Sequence, residues 1–261
     1  MTENDQYVYC LVDTSDDCDL SINDTGMNGE PVEVVDVGGV GIVTHTTDGL
    51  YDSDNLDQIQ QWLLDHQSVV DSAGETYGTP LPLQFDTVFE GGMAAVEDWV
   101  STHHQEIIEH LNSLAGHWEY RVHLLWDDGA FESTVTEEDG RLKHLARRKE
   151  EATAGKSYMI EKQYDQRLRE RRQERKSELV KTLINAVEPI AVNYFEMDDS
   201  GSLITESHKE ERNRVTRLGV LTHRDDEQAL GERLDDVAAI DGVTIRFTGP
   251  WPPYGFTPEF E

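Results

Sequence analysis

The first 120 residues contain no lysine or arginine, although they include 24 aspartates and glutamates. Like charges at this density repel one another and oppose compaction unless salt screens them. At about 1 M salt the screening length falls to about 3 Å, which removes most of that repulsion. The whole chain has 53 acidic and 22 basic residues, of which seven are lysines, and a formal net charge of −31. An acidic, lysine-poor chain is typical of salt-accumulating halophiles, and we expect a protein from an extreme halophile.

The composition indicates a folded protein and excludes several classes of partner. Hydrophobic residues make up 37% of the chain, with five Trp, nine Tyr and seven Phe, which is more than disordered chains usually contain. Non-specific binding to DNA or RNA needs a basic surface, so no nucleic-acid partner is expected. No positively charged start and no apolar signal-peptide region precede Tyr7, and the aliphatic stretch Val37–Val43 is too short to span a bilayer. We therefore expect a soluble, cytoplasmic protein without a membrane partner.

Hydrophobic periodicity predicts an α+β fold. The first half follows the order β-β-α-β-α-β, which suits an open mixed sheet with helices on one face. Its second strand, Val32–Thr44, is interrupted by Gly38, Gly39 and Gly41, which suggest a bulge or a close backbone contact. The second half follows the order α-β-β-α-β and forms another α+β unit. The predicted segments are a domain over 1–128, a linker and start of the basic helical region over 129–154, a domain with a long basic helix over 155–248, and a tail over 249–261.

The polar, turn-like segment Asp127–Gly140 marks the boundary between the two halves, and the sign of the charge changes after it. Residues 141–181 hold 14 of the 22 basic residues and seven acidic ones. From Lys156 onward the pattern is helical, and its middle is polar on every face, as in helices that connect domains through solvent. A long charged helix is therefore predicted to join the two domains. Its arginines, among them Arg167, Arg171 and Arg175, either remain solvated or form a docking arm for an acidic partner.

Motifs that suggest catalysis or metal binding are incomplete. Ala154–Ser157 ends like a phosphate-binding loop, but Glu150 stands where that loop needs glycine. His103, His104 and His110 lack the i,i+4 spacing of helical metal ligands, and no G-x-S-x-G nucleophile turn occurs. Cys10 lies in an apolar strand pattern and is expected to be a buried thiol, and its spacing from Cys18 does not require a disulfide. We expect no catalytic residue, metal or cofactor.

The end of the chain carries the most specific motif. Thr248-Gly249-Pro250-Trp251-Pro252-Pro253-Tyr254-Gly255-Phe256 directly follows an alternating strand and resembles the C-terminal signature of the gas vesicle protein F/L family. Three earlier blocks agree in order, although Asp86 stands where the family commonly has glycine. These blocks are Tyr7–Tyr9, Pro82–Phe89 and Trp118–Val122. Length and the basic helix favour the L-type over the shorter F-type.

The resemblance implies a two-domain α+β protein with a ferredoxin-like first domain and no enzymatic activity. It also implies a gas vesicle-associated accessory protein that contacts the small hydrophobic shell protein and other accessory proteins while the vesicle nucleates. The alternative is a small-molecule- or nucleotide-binding α+β enzyme of a halophile, which would need a pocket with convergent polar groups. RNA binding through exposed aromatics is a third possibility, but acidic residues surround Trp118 and Tyr120.

The tail has two interpretations as well. Pro250, Pro252 and Pro253 lack an N–H, so the last strand is expected to stop at about Thr248. The aromatic residues Trp251, Tyr254 and Phe256 either pack on the second domain or face a partner in the vesicle complex. We expect Trp251 to be packed on its own chain, and Tyr254 and Phe256 to contact the partner.

The charge distribution predicts that folding depends on salt. On dilution from multi-molar KCl to about 50 mM, circular dichroism should show loss of the cooperative thermal transition, because unscreened carboxylates repel one another. A fold that stays unchanged and cooperative at low salt would contradict this prediction. Dilution into equimolar NaCl is the matched control and should preserve the transition, since screening depends on ionic strength.

Overall fold

The computed structural model describes residues 5–258 with the exception of 16–19, 23, 128, 130, 153 and 198–212. Its strands are β1 (Asp5–Asp13), β2 (Glu33–Val37), β3 (Val40–Thr47), β4 (Leu81–Pro82), β5 (Val88–Phe89), β6 (His117–Trp126), β7 (Asn193–Glu196), β8 (Arg214–His223) and β9 (Val243–Trp251). Its helices are α1 (Leu56–Tyr77), α2 (Gly92–Leu114), α3 (Phe131–Glu138), α4 (Gly140–Glu151), α5 (Ala154–Val187) and α6 (Glu227–Ala238). One sheet has the strand order β2-β3-β1-β4, with β5 also paired to β1, and the other has the order β7-β8-β6-β9. The predicted α+β class is confirmed.

The chain divides into two compact units, each assembled from separate stretches of sequence. The first contains residues 1–120, 221–224 and 249–261, and the second contains 121–220 and 225–248. The basic helix α5 lies within the second unit. The predicted segment boundaries, the ferredoxin-like topology and the joining role of the charged helix remain predictions.

A tight hairpin replaces the single second strand that the sequence suggested. β2 and β3 pair antiparallel up to Val37 and Val40, so only Gly38 and Gly39 remain in the turn. Both glycines have positive φ, 64° and 93°, as a type I′ hairpin turn requires. The prediction of a single interrupted strand over Val32–Thr44 was therefore wrong, because Gly38 and Gly39 reverse the chain direction and divide it into β2 and β3.

Strand β1 is the centre of the first unit and is buried on both faces. Tyr7 and Tyr9 lie in one apolar cluster, which we call the tyrosine cluster. Val8 and Leu11 lie in another, which we call the α2 cluster because it also contains side chains of α2. A register shift between Val8 and Cys10 explains why Cys10 joins the tyrosine cluster, since a bulge changes which face the later side chains occupy.

A different helix packs against each face of this first sheet. Trp62, Val69 and Ala73 of α1 join the tyrosine cluster. Val96, Val100 and Ile107 of α2 join the other cluster. The prediction of helices on one face is wrong for this sheet, because β1 is apolar on both faces and each face needs its own cover.

Two histidines are buried within the tyrosine cluster. His66 Nδ1 lies 2.8 Å from Tyr7 Oη, which also accepts a hydrogen bond from the Asp86 N–H at 2.9 Å. His45 Nε2 lies 2.8 Å from Tyr51 Oη, and the rings of Tyr7 and His45 stack with centroids 5.1 Å apart. Desolvation by burial lowers the pKa of His45 and of His66 from 6.5 to about 4. Both side chains are therefore neutral at pH 7.

The core of the second unit includes a small cluster among three helices. Val135 of α3, Leu142 of α4 and Leu168 of α5 are buried together, with Phe131 and Tyr164 packed against them. Asp127–Gly140 was predicted to be turn-like, and this was wrong, because α3 forms within it. The spacing of Phe131 and Val135 places both on one face of that helix, where they reach the cluster.

The last strand extends further than its prolines suggested. β9 continues to Trp251, three residues beyond the predicted stop at Thr248. Among the described strands, β9 lies at one end of its sheet order. Proline is tolerated on an edge strand, because its missing N–H can face away from the ladder.

The buried histidines predict a loss of stability in mild acid. Unfolded histidine has a pKa of about 6.5, so between about pH 6.5 and pH 4 the unfolded chain binds more protons than the folded one, and the free energy of unfolding falls as pH falls. The melting temperature at constant KCl should therefore drop by several degrees between about pH 7 and pH 5. In His66→Gln this pH dependence should be shallower, whereas His144→Gln, at an exposed position, should leave it unchanged. Equal slopes for wild type and His66→Gln would contradict the assignment.

Candidate functional site

The basic part of the sequence, residues 141–181, lies in the helices α4 and α5 of the second unit. The short acidic helix α3 packs with them, and we call these three helices the basic module. Both α3 and α5 pack against α4. Asp139, which precedes α4, is its N-cap: Oδ1 accepts hydrogen bonds from the N–H groups of Arg141 at 2.9 Å and Leu142 at 3.1 Å. These bonds satisfy two of the backbone donors that a helix N-terminus leaves unpaired.

The same carboxylate binds two arginines of α5. Asp139 Oδ2 accepts hydrogen bonds from Arg167 Nη2 at 2.8 Å and Nε at 3.1 Å, and Arg171 Nε lies 3.5 Å away. The Asp139 side chain is only 8% exposed. Desolvation alone would raise its pKa, but the Leu142 N–H and the Arg167 guanidinium outweigh this and hold the pKa of Asp139 below its usual value. Asp139 therefore stays ionised and fastens α5 to the start of α4.

The three arginines predicted to bind a partner have different environments. Arg167 and Arg171 are partly buried and ion-paired with Asp139, and each also pairs with an acidic residue on α5. Arg175 pairs with Glu178 at 3.4 Å, between side chains that are 35% and 62% exposed. Arg167 and Arg171 thus connect α5 to Asp139, while the ion pair of Arg175 with Glu178 joins two residues of the same helix.

A groove of ≈ 510 Å³ borders the basic module. It is lined by two aromatic side chains, by Arg171 and Arg175, and by acidic side chains. Trp126 and Phe131 meet edge to face in its wall, with ring centroids 5.0 Å apart. Gly242 lines it with φ +75°, where a Cβ would lie 2.7 Å from the Asp127 carbonyl oxygen, so this position requires glycine. The groove could hold a short segment with apolar and charged groups.

The predicted aromatic tail is part of the first unit. Tyr254 packs against the tyrosine cluster, with its ring centroid 6.3 Å from that of His66, and Phe256 packs against the α2 cluster. The Gly255 N–H donates to Oε2 of the buried Glu119 at 2.7 Å. Trp251, Tyr254 and Phe256 are all partly exposed. Packing on the second domain was therefore wrong for Tyr254 and Phe256, because the chain belongs to the first unit from Gly249 onward.

The histidines considered as metal ligands contact backbone carbonyl groups, and the cysteine considered for redox chemistry is buried. His103 Nδ1 lies 2.9 Å from the Trp99 carbonyl oxygen, and His104 Nε2 lies 3.0 Å from that of Gly38. In the described part of the chain, no group of three or more His, Cys, Asp and Glu side chains could hold a metal ion. Cys10 is a buried free thiol, as expected, and Cys18 lies outside the described residues.

Among the residues described, no helix is long and apolar enough to cross a membrane.

Sequence reasoning missed Asp139, although a local signal was present. Asp139 stands directly before Gly140, where an apolar pattern with Leu142 and Leu145 begins, and aspartate in that position is a common helix start. Its contacts with Arg167 and Arg171 span 28 and 32 residues, and no local pattern contains them.

Comparisons with known proteins give matches to gas vesicle proteins over nearly the whole chain. The family model described as "Gas vesicle synthesis protein GvpL/GvpF" matches residues 6–258. Gas vesicle protein L2 of Halobacterium salinarum is 50% identical over 255 residues, which cover 97% of this chain and 91% of that protein. Gas vesicle protein L1 of the same organism is 44% identical over 256 residues, covering 98% and 91%. Gas vesicle protein L of Haloferax mediterranei is 43% identical over 235 residues, covering 90% and 73%.

Two crystal structures share the fold. GvpF from Anabaena matches with a TM-score of 0.73 and 16% identity, covering 99% of this chain and 100% of that one. GvpF from Microcystis aeruginosa matches with a TM-score of 0.67 and 17% identity, covering 98% and 99%.

The fold and its surfaces define an acidic α+β protein with two compact units and a basic helical module. The chain belongs to the gas vesicle synthesis protein GvpL/GvpF family. The resemblance carried by the motif Thr248–Phe256 is confirmed, and the curated relatives named above are L proteins of halophilic archaea.

Replacing the shared carboxylate should destabilise the basic module. Asp139→Ala removes the N-cap of α4 and the ion pairs to α5, and loss of an N-cap side chain alone typically costs ~1–2 kcal/mol. Hydrogen exchange at constant KCl should show faster exchange in α4 and in the adjoining part of α5. Asp165→Ala, at an exposed position of α5, is the control and should exchange like wild type. Unchanged protection in Asp139→Ala would show that the carboxylate does not fasten the helices.

Proposed function

We propose that this protein is a non-enzymatic accessory protein of gas vesicle assembly. It binds the small hydrophobic shell protein and other accessory proteins while the vesicle nucleates, and it acts in the cytoplasm and at the forming gas vesicle. The observation that carries the proposal is the match of residues 6–258 to the gas vesicle synthesis family, together with relatives named gas vesicle protein L.

The surface chemistry supports a role in handling an aggregation-prone subunit. A chain with a net charge of −31 remains dispersed when it holds an apolar partner, provided that the apolar contact is limited in area. The first unit buries its aromatic residues in two clusters and leaves only limited apolar surface, including Leu56 and Leu64, which are 72% and 65% exposed. Exposed apolar groups within a charged surface are typical of interaction sites.

We propose two contact regions for these partners. The first is Arg175 with the adjoining groove of the second unit, where a cationic side chain lies beside Trp126 and Phe131. The second is the exposed edge of the tail aromatics Trp251, Tyr254 and Phe256, which Glu119 and the core clusters hold in a fixed position. A preordered segment loses little entropy when it docks. Arg167 and Arg171 contribute indirectly, because their ion pairs with Asp139 fix the helix that carries Arg175.

Co-purification from a gas vesicle-forming haloarchaeon, at constant multi-molar KCl, tests this role. The tagged wild-type protein should capture the shell protein, and capture of each accessory protein is scored separately. Arg175→Glu should lose at least one accessory partner with little effect on folding, since a single i,i+3 ion pair on a helix contributes little to stability. Phe256→Ala should reduce capture of the shell protein or of an accessory protein.

Arg233→Glu is the matched control, because Arg233 is an exposed arginine on α6, outside both regions. If wild type captures no gas vesicle protein, the proposed function is wrong. If wild type captures its partners and both variants match Arg233→Glu, the role remains and the two contact regions are wrong. Circular dichroism of each variant separates loss of binding from loss of fold.

A further inference from the structure

Strand β2 lies at one end of the first sheet, and one of its two edges is unpaired. Among the described strands β2 pairs with β3, and the other end of the sheet order is the two-residue strand β4, which contains Pro82. Proteins protect the edges of sheets with very short strands, prolines or charged side chains. β2 has five residues and no proline, so its protection rests on the two carboxylates of Glu33 and Asp36.

The hairpin turn fixes which backbone groups of β2 face outward. Val37 and Val40 close the two-residue turn as a hydrogen-bonded pair, and every second residue of β2 repeats this pairing along β3. Val34 and Asp36 lie between these pairs, so their N–H and C=O groups point away from β3. Within the described part of the chain, these four groups have no hydrogen-bond partner. They are the groups that an added strand would pair with.

The side chains of β2 place valines and one carboxylate on each face of the sheet. Val34 and Asp36 point to one face, where Val34 is buried in the tyrosine cluster and Asp36 is exposed. Glu33, Val35 and Val37 point to the other face, where Glu33 is exposed and Val37 packs against the α2 cluster. A strand added at this edge therefore meets apolar and acidic neighbours on both of its faces.

No ion pair neutralises these two carboxylates within the residues that the structure describes. Asp36 Oδ1 accepts hydrogen bonds from the N–H of Gly39 at 3.1 Å and from the hydroxyl of Thr14, and both donors are neutral. Glu33 has no side-chain hydrogen bond or ion pair there. Both residues can therefore pair with a cation of another molecule.

The surroundings of β2 within the first unit offer no lysine or arginine. The single arginine of this unit is Arg224. Its guanidinium lies over the ring of Trp118, 5.4 Å from the centroid, on a strand of the other sheet. His104 is a titratable base at the hairpin turn, where its Nε2 lies 3.0 Å from the Gly38 carbonyl oxygen.

We propose that an extended segment of a basic partner adds to the free edge of β2 as a further strand. The segment carries two lysines or arginines three residues apart, with apolar residues around them. Main-chain hydrogen bonds to Val34 and Asp36 supply the pairing, as in other complexes formed by strand addition. The spacing of three puts one cation on each face, opposite Glu33 and Asp36, and opposite charges across two strands stabilise the pair.

The same carboxylates disfavour a second copy of this chain at the edge. Pairing β2 with another β2 would bring four carboxylates together without a cation, and like charges across strands are destabilising. The edge is thus protected against its own copies while it accepts a basic strand. The inference stands apart from the proposed function, because the partner is defined by its chemistry and β2 lies outside both contact regions.

A peptide titration at constant multi-molar KCl tests the proposal. The capped peptide Val-Lys-Val-Val-Lys-Val should bind saturably, and residue-resolved hydrogen exchange should show slower exchange of the Val34 and Asp36 amides in the complex, because new ladder bonds protect them. The capped peptide Val-Lys-Val-Lys-Val-Val has the same composition and charge but places both lysines on one face. It should bind about threefold more weakly, since one opposite-charge pair across the strands is lost.

A charge reversal on the protein gives the second arm of the test. Glu33→Lys should weaken binding of the first peptide about fivefold, because an opposite-charge pair becomes a like-charge pair. Glu75→Lys makes the same change at an exposed position of α1, outside β2, and should bind like wild type. Circular dichroism checks that both variants are folded.

Three results would overturn the proposal. One is the lack of saturable binding of the first peptide to wild type, and another is protection that develops elsewhere but not at Val34 and Asp36. The third is equal affinity, either of the two peptides for wild type or of Glu33→Lys and Glu75→Lys for the first peptide, since binding would then reflect net charge alone.

Discussion

Residues 1–120, which form most of the first unit, carry 24 carboxylates and no lysine or arginine. The compactness of this unit therefore rests on the burial of β1 between α1 and α2. Tyrosines suit this position because their rings bury large apolar areas, while Tyr7 and Tyr9 direct their hydroxyls to backbone N–H groups. His45 and His66 extend the polar network as neutral rings and add no buried charge. Burial of the tyrosine cluster thus offsets the repulsion among the carboxylates on the surface of the first unit.

In the second unit, Arg167 and Arg171 hold helices of the same unit together. Asp139 receives the backbone donors of α4 and the guanidinium of Arg167, so one carboxylate fixes a helix start and a contact between helices. A buried ion pair is expensive to desolvate and contributes a net gain only if the remaining hydrogen-bonding groups are also satisfied. Asp139 meets that condition through four hydrogen bonds. Exposed cations elsewhere on the module, such as Lys156 and Lys162, remain available for contacts with other molecules.

Local patterns in the sequence predicted elements well and contacts poorly. Alternation identified β6, and helical spacing identified α1, α2 and most of α5, because these periods follow directly from which face is buried. The structure around Gly38 and Gly39 was ambiguous, since two glycines in an apolar run fit either a bulge or a hairpin turn. The pairing of Val37 with Val40 shows that they form a hairpin turn, and no local pattern contains that pairing. The short helix α3 was missed because its polar composition resembles a loop, while its two apolar residues depend on Leu142 and Leu168 for their burial. The role of Asp139 and the packing of the tail on the first unit were missed for the same reason: the partners lie far away in sequence.

Concentrated salt also determines what kind of surface can recognise a partner. When charges act over only a few ångströms, a broad acidic field no longer steers an approaching molecule, and opposite charges must touch to discriminate. Apolar contacts do not weaken in this way, and excluded salts strengthen them. A small apolar centre with one charged border therefore combines affinity that tolerates salt with selectivity that acts at contact. In a chain with 53 acidic residues, such a surface is where a partner gains most from burial while losing least to repulsion.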